Sequence, residues 1–168
     1  MPRRIARSRA IGGYEGSLRA ILHALKYDGR RSLARPLAAR MREKGHAILD
    51  GAHVVVPVPL HGSRRRERGF NQAKDLAEHL GLPVVHALRR ARATAPQVSL
   101  AAARRHANVR EAFRATRAAR QLAGKIVVIV DDVSTTGATL DACARALDEA
   151  GTIEMRALTA AKVVTRPQ

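Results

Sequence analysis

The chain of 168 residues contains one cysteine, no tryptophan and few aromatic residues, which make up 2% of the sequence. A single cysteine excludes an internal disulfide and any zinc site built from several cysteines. No apolar run approaches the roughly 18 residues that a membrane-spanning helix needs. The arginines near the N-terminus are not followed by the apolar stretch of a secretory signal. These absences favour one cytoplasmic domain over residues 1–168, with a core of alanine, leucine, valine and isoleucine.

Positive charge is abundant and unevenly distributed. The formal net charge is +17, from 31 basic and 14 acidic residues. Residues 1–35 and 86–120 carry +7 and +8, whereas residues 121–168 sum to −1. This asymmetry indicates polyanionic partners, either nucleic acid or a phosphorylated small molecule. A general bias of the genome towards arginine would produce the same total, so both explanations stay open.

Helical and strand patterns alternate along most of the chain. Apolar spacing predicts helices at residues 18–27, 32–44, 71–80, 100–109 and 139–150. Short β-branched runs predict strands at residues 53–58, 84–88, 126–130 and 154–164. The helix at 100–109 falls within a long basic segment, 89–122, that shows no clear period elsewhere. Such alternation is typical of a parallel sheet with helices on both faces, which binds ligands at the carboxyl ends of its strands.

The loop after the strand at 126–130 combines acids, hydroxyls and a glycine at the start of a helix. A helix N-terminus with short hydroxyl side chains binds anions, and Gly137 lets the backbone close around a phosphate. Asp131 and Asp132 can accept hydrogen bonds from hydroxyl groups. The segment lacks the Gly-Lys-Ser/Thr of a P-loop and the terminal glutamate of an EF-hand. It therefore predicts a site for a ribose 5-phosphate, the alternative being an ordinary capped helix start.

A second loop, after the strand at 53–58, is rich in arginine. Pro57 and Pro59 stiffen the approach, and four arginines follow between residues 64 and 68. Guanidinium groups bind phosphate oxygens through paired hydrogen bonds. The loop is therefore predicted to bind a polyanion, the alternatives being a solvated turn or a nucleic-acid patch.

These two loops resemble those of type I phosphoribosyltransferases, whose substrate is phosphoribosyl pyrophosphate (PRPP). The stretch Arg-Gly-Phe-Asn-Gln at residues 68–72 is similar to the signature of the ComF/GntX family, the competence-protein-F-like phosphoribosyltransferases. The resemblance extends from about residue 14 to residue 162. It implies an α/β fold with a type I phosphoribosyltransferase-like parallel sheet flanked by helices, and a long basic flap at 89–122. Many members carry a four-cysteine zinc module before this region, and residues 1–13 contain no cysteine.

The resemblance also implies a role for each group of site residues. The catalytic, ribose-facing pair would be Asp131 and Asp132. The 5-phosphate would bind at Ser134, Thr135, Thr136, Gly137, Ala138 and Thr139. The pyrophosphate loop would include Pro59, Leu60, Arg64, Arg68, Asn71 and Gln72. The flap would contribute Gln97, Arg105 and Asn108, and the end of the first helix adds two further candidates, Lys26 and Tyr27.

The reaction that the resemblance implies is displacement of pyrophosphate from C1 of PRPP by an acceptor, such as a nucleobase, that the sequence does not identify. Mg²⁺ would be held through PRPP, with no ligand taken directly from the protein. The competing hypothesis is a protein that senses PRPP without catalysis, or that binds single-stranded DNA during DNA uptake. Single-strand binders usually add stacking aromatics to a basic groove, and this chain has few. Whether the protein forms a homodimer stays open.

Overall fold

The chain folds as an α/β structure around a parallel sheet. The computed structural model describes residues 4–60, 66–67, 69–91 and 112–163. The strands are β1 (Ile5–Gly13), β2 (Val54–Pro57), β3 (Leu88–Arg90), β4 (Phe113–Ala115), β5 (Ile126–Ser134) and β6 (Glu154–Lys162). The α-helices are α1 (Gly16–Tyr27), α2 (Ala34–Lys44), α3 (His46–Leu49), α4 (Gln72–Ala77) and α5 (Ala138–Ala146). No helix among these residues has the length and apolar character needed to span a bilayer.

The main sheet has the strand order β1-β6-β5-β2, and all its neighbouring strands are parallel. Val55 also forms a parallel bridge with Val84 beyond β2. The run from Val127 to Val130 in β5 is fully buried because neighbouring strands and helices cover it on all sides. Since parallel strands end at one edge of the sheet, the chain leaves β2, β5 and β6 on the same side of the molecule.

The core lies in two clusters, one on each face of the sheet. Successive side chains of a strand point to opposite faces. Val127 and Ile129 therefore pack with Leu140 of α5, whereas Val128 and Val130 pack with the buried residues of α1, α2 and α4. Fully burying one such side chain stabilises the fold by roughly 1.5–3 kcal/mol. The two clusters hold α1 and α5 against opposite faces of β5, the strand that contains the acid pair.

The helices predicted at 18–27, 32–44, 71–80 and 139–150 and the strands predicted at 53–58, 126–130 and 154–164 are confirmed, with changed bounds. The helix predicted at 71–80 ends earlier, at Ala77, and turns lead on to Gly81, whose φ is 82°. The strand predicted at 126–130 continues to Ser134, so the acid pair lies inside β5 and the following turn is shorter than expected. The prediction of a strand at 84–88 is wrong: Val84 makes a single bridge, and the strand in this region begins at Leu88.

Strand β1 has no counterpart in the sequence predictions. Apart from Ile5 and Ile11 its residues are small, charged or glycine, and most of its first half is exposed. Among the described residues it lies at the edge of the sheet and pairs with β6 alone, so it needs no β-branched run. Pairing with a preformed neighbour, rather than local propensity, explains why this segment is extended.

The basic segment predicted as a flap at 89–122 lies only partly within the described residues. The parts on either side of its middle form the antiparallel pair β3–β4, in which Arg90 lies opposite Phe113, and a 3₁₀ turn follows at Arg117–Leu122. Phe113 is buried, and the Arg90 guanidinium lies 5.3 Å from the centroid of its ring. Residues 92–111 lie outside the described residues, and with them the predicted helix at 100–109 and the flap candidates Gln97, Arg105 and Asn108.

Candidate functional site

Two adjacent carboxyl groups stand near the end of the central strand. Asp131 and Asp132 follow directly after the buried run of β5. Asp131 Oδ1 accepts a hydrogen bond from the Asp132 N–H at 2.9 Å, and Asp132 Oδ1 accepts one from the Val133 N–H at 2.7 Å. Asp132 is only 7% exposed, and Asp131 is also partly buried. The backbone therefore holds both carboxyl groups in place at the carboxyl edge of the sheet.

Two side chains from distant parts of the chain converge on Asp132. Lys26, in the last turn of α1, places its Nζ 2.9 Å from Asp132 Oδ2. Gln72, the first residue of α4, donates from Nε2 to the same oxygen at 3.3 Å. The Gln72 side chain is buried, and its Oε1 receives no hydrogen bond from the described residues. The structure thus brings one candidate from the first helix and one from the arginine-rich loop to the acid pair.

The two carboxyl groups of the acid pair have different electrostatic environments. Burial, followed by the negative charge of Asp132, raises the pKa of Asp131 well above its ordinary value of 3.8. The Asp132 N–H and the charge of Lys26 act in the opposite direction but do not cancel these effects. Asp131 therefore keeps its proton to a higher pH than an ordinary aspartic acid, while Asp132 is engaged in an ion pair.

Cys143 lies close to this pair but is not a candidate nucleophile. It is fully buried in α5, in the core cluster that contains Val127 and Ile129 of β5. Burial, and then the charge of Asp131, raise the pKa of its thiol well above the ordinary range. A thiol that stays protonated and out of contact with solvent acts as a small core residue.

The turn between β5 and α5 has the form of an anion site. It contains Thr135 and Thr136, both exposed, and Gly137, whose φ of 82° favours glycine. Thr136 Oγ1 accepts from the Ala138 N–H at 3.3 Å. The first N–H groups of a helix have no acceptor within the helix, and the nine-residue α5 presents them at this turn. The predicted 5-phosphate residues therefore lie together at one helix start.

An open cleft of about 590 Å³ lies beside this turn. Ser134 and Gly137 border it from the turn, and Ser8 of β1 with Thr159 and Lys162 of β6 border it from the sheet. The acid pair does not line it. These contributions from β1 and β6 could not be predicted from the sequence, because β1 has no β-branched run and no local pattern shows which strand lies beside the turn.

Asn71 closes the arginine-rich loop. Its Nδ2 donates to the Val58 carbonyl at 3.0 Å, and its Oδ1 accepts from the Ala73 N–H at 3.0 Å as the N-cap of α4. The end of β2 and the start of α4 are thereby joined by one side chain. Pro59 and Leu60 lie between them, partly buried, whereas residues 61–65 and 68, including Arg64 and Arg68, lie outside the described residues.

Tyr27 is placed differently from its neighbour Lys26. It is 62% exposed, and its ring centroid lies 4.7 Å from that of His23, one turn earlier in α1. Of the two candidates at the end of α1, Lys26 therefore contacts the acid pair, whereas Tyr27 lies at the protein surface.

The sequence and the fold are similar to those of known proteins. Residues 66–167 match the phosphoribosyl transferase domain family. The chain is 31% identical over 156 residues to Competence protein F of Haemophilus influenzae, which covers 87% of this chain and 68% of that protein. It is 33% identical over 150 residues to DNA utilization protein YhgH of Escherichia coli K12, covering 82% and 63%. It is 30% identical over 148 residues to Competence protein ComFC of Bacillus subtilis, covering 88% and 60%.

The chain thus spans 60–68% of the length of these relatives. Its fold is also similar to the allosteric regulatory enzyme of purine biosynthesis, with a TM-score of 0.50 and 27% identity. That similarity covers 80% of this chain and 27% of the enzyme. Because the domain match covers more than half of the chain and the relatives align over most of it, the chain belongs to the phosphoribosyltransferase family and, within it, to the competence-protein-F-like group.

Proposed function

We propose that the protein binds PRPP and transfers its phosphoribosyl group to an acceptor, with release of pyrophosphate. One observation carries the proposal: the paired carboxyl groups of Asp131 and Asp132 are followed, within one short turn, by the start of α5 at Gly137. This arrangement places acceptors for a diol next to N–H donors for a phosphate. The two are the recognition elements that a ribose 5-phosphate requires.

The two carboxyl groups have different parts in ribose binding. Asp132, held by Lys26 and Gln72, is an acceptor for a ribose hydroxyl. Asp131, with its raised pKa, can also donate a hydrogen bond while it is protonated. The 5-phosphate binds the first N–H groups of α5, where the helix dipole also favours negative charge.

The chemical step follows from this placement. The acceptor attacks C1 of the ribose, the bond from C1 to the pyrophosphate oxygen breaks, and pyrophosphate leaves with the electron pair. A nitrogen acceptor loses its proton to water or to a basic group. The transition state resembles an oxocarbenium ion, so the main contributions of the protein are positioning of the substrates and stabilisation of the departing charge.

We propose that a divalent cation enters this site together with the substrate. The described residues contain no group of three or more histidine, cysteine, aspartate or glutamate side chains that could hold a metal ion. Asp132 already has Lys26 as its cation. Mg²⁺ would therefore be held by oxygens of PRPP and by water, as is usual for this ion, and would neutralise part of the pyrophosphate charge.

The binding proposal is tested by thermal unfolding with PRPP and Mg²⁺. Ligand at about 100 times its Kd adds about 2.7 kcal/mol to the free energy of unfolding. For a domain of this size we expect a rise in Tm of roughly 5–10 °C. Asp131→Asn combined with Asp132→Asn should abolish the shift, whereas the surface control Glu149→Gln should keep it. An unchanged melting curve for the wild-type protein in millimolar PRPP would contradict the proposal.

Catalysis needs a separate measurement. Pyrophosphate release is followed with PRPP, Mg²⁺ and a panel of nucleobases, and with water as the only acceptor. Release that depends on one acceptor supports transfer and identifies the acceptor class. PRPP binding without release for any acceptor would instead indicate a protein that senses PRPP.

Binding of single-stranded DNA is a second candidate function. The net charge of +17 favours it, as do the relatives named for competence and DNA utilization. The two functions differ in their response to salt and to PRPP, because a dedicated DNA site would survive moderate salt whereas diffuse charge would not.

A further inference from the structure

Lys26 reaches the acid pair because α1 is anchored on the sheet. Leu22 and Leu25 are fully buried in the core cluster that includes Val128 and Val130 of β5. The next residue, Lys26, then lies at the end of the strand, with its side chain 18% exposed and its Nζ 2.9 Å from Asp132 Oδ2. The packing of α1 on the sheet thus fixes the position of the Lys26 ammonium group.

Three of the roughly four hydrogen-bonding positions of Asp132 are filled by the protein itself, which leaves one on Oδ1 for a ribose hydroxyl. Oδ2 faces both Lys26 Nζ and Gln72 Nε2, and Oδ1 accepts the Val133 N–H. A divalent cation that bound this carboxylate directly, through either oxygen, would lie close to the positive charge of Lys26. Two adjacent carboxyl groups would otherwise be an attractive position for such a cation.

We propose that Lys26 is a positioning residue that acts as a built-in counter-ion of the acid pair: it orients Asp132 towards the ribose hydroxyls and keeps divalent cations from bonding directly to the two carboxylates. The first half of this inference rests on the proposed function, whereas the exclusion of cations does not. Gln72 supports the same oxygen from α4, so Asp132 is held from two helices. On this proposal Mg²⁺ binds only together with PRPP, and the ligand-free protein does not hold it.

The exclusion of cations is tested on the ligand-free protein with Mn²⁺ as the probe, its free concentration being read by electron paramagnetic resonance. Wild-type protein and Lys26→Arg should bind Mn²⁺ weakly. Lys26→Met should bind it about tenfold more tightly, a change of about 1.4 kcal/mol, because a positive charge next to the carboxylates is gone. The further change Asp132→Asn in the Lys26→Met protein should remove the gain.

The control variant is Lys44→Met. Lys44 is exposed in the last turn of α2, so its loss changes the net charge equally but leaves the acid pair untouched. Lys26→Gln is included because its amide can still donate to Asp132 if the Met variant does not fold, as judged by circular dichroism. Mn²⁺ affinities of the folded Lys26 variants that do not exceed that of Lys44→Met would overturn the inference.

The orienting role is tested by PRPP affinity. Lys26→Met should weaken PRPP binding about tenfold, Lys26→Arg should restore most of it, and Lys44→Met should have no effect beyond a small change in charge. If wild-type protein fails to bind PRPP, the proposed function fails while the Mn²⁺ measurement still decides the exclusion of cations. If PRPP binds wild type and Lys26→Met equally well, the orienting role fails and the proposed function stands.

Discussion

Arg31 binds the carboxylate of Asp75 through two hydrogen bonds, from Nε to Oδ2 at 2.7 Å and from Nη2 to Oδ1 at 2.8 Å. Arg31 lies in the 3₁₀ turn between α1 and α2, and Asp75 lies in α4. The same guanidinium lies 5.5 Å from the centroid of the Phe70 ring. The pair therefore connects the turn after α1 to α4, and α1 and α4 are the two helices whose side chains reach Asp132.

Removing either partner of the Arg31–Asp75 pair should lower the free energy of unfolding, but by unequal amounts. The Asp75 side chain is 5% exposed, whereas that of Arg31 is 56% exposed. Arg31→Ala leaves a buried carboxylate without its partner and should lower the free energy of unfolding by about 1–3 kcal/mol. Asp75→Asn should cost less, because water can solvate the freed arginine. Urea denaturation measures both.

The control for this prediction is Arg40→Ala. Arg40 pairs with Glu43 on the exposed side of α2, and exposed pairs of this kind contribute about 0.3–0.5 kcal/mol. An Arg31→Ala protein no less stable than the Arg40→Ala protein would show that the buried pair does not join the two elements.

Asn71 should be sensitive to a change that preserves its shape. Asn71→Asp keeps an oxygen to cap α4 but loses the N–H that binds the Val58 carbonyl. Asn71→Ala loses both contacts and should destabilise the protein by about 1–2 kcal/mol. If Asn71 holds the two ends of the loop together, Asn71→Asp should weaken PRPP binding more than its effect on stability explains. Thermal unfolding with and without PRPP separates the two effects, and equal shifts for wild type and Asn71→Asp would argue against a role in the loop.

The raised pKa of Asp131 should make stability depend on pH. The folded protein keeps a proton on this carboxyl above its ordinary value of 3.8, where the unfolded chain has released it. The stabilising contribution is therefore complete below that value and is lost as the pH rises through the folded pKa. Asp131→Asn cannot titrate, so its stability relative to wild type should increase with pH and then level off. Urea denaturation between about pH 4 and 9 tests this, and a constant difference across the range would contradict it.

Non-specific DNA binding should follow from the net charge alone. We expect single-stranded DNA to bind at low salt and to be released between about 50 and 200 mM salt, with log K falling by roughly 0.7 per phosphate neutralised. Arg64→Ala with Arg66→Ala should weaken binding only modestly, because many arginines share the contacts. Fluorescence anisotropy with and without PRPP is the measurement. Binding that persists at 200 mM salt and responds to PRPP would favour DNA binding, the second candidate function, over phosphoribosyl transfer.

The elements that could be predicted from the sequence are those whose formation depends on residues within the same segment of the chain. The β-branched run from Val127 to Val130 can be buried only as a central strand, and apolar spacing defines the inner face of α1. Gly137 marks the turn because its backbone conformation favours glycine. Strand β1 and the β3–β4 pair could not be predicted in this way, since their pairing depends on partners far along the chain.

The sequence by itself determined which chemical groups are present at the site: an acid pair at the end of a buried strand, hydroxyls and a glycine at a helix start, and an excess of arginine. Only the tertiary structure decided which groups meet. Lys26 and Gln72 reach the same oxygen of Asp132 because α1 and α4 pack on one face of β5, whereas Cys143 is buried on the other. The physical reason is that residue types and local spacing are properties of the chain, whereas contacts between distant residues depend on the parallel pairing of the strands and on the helices that cross between them.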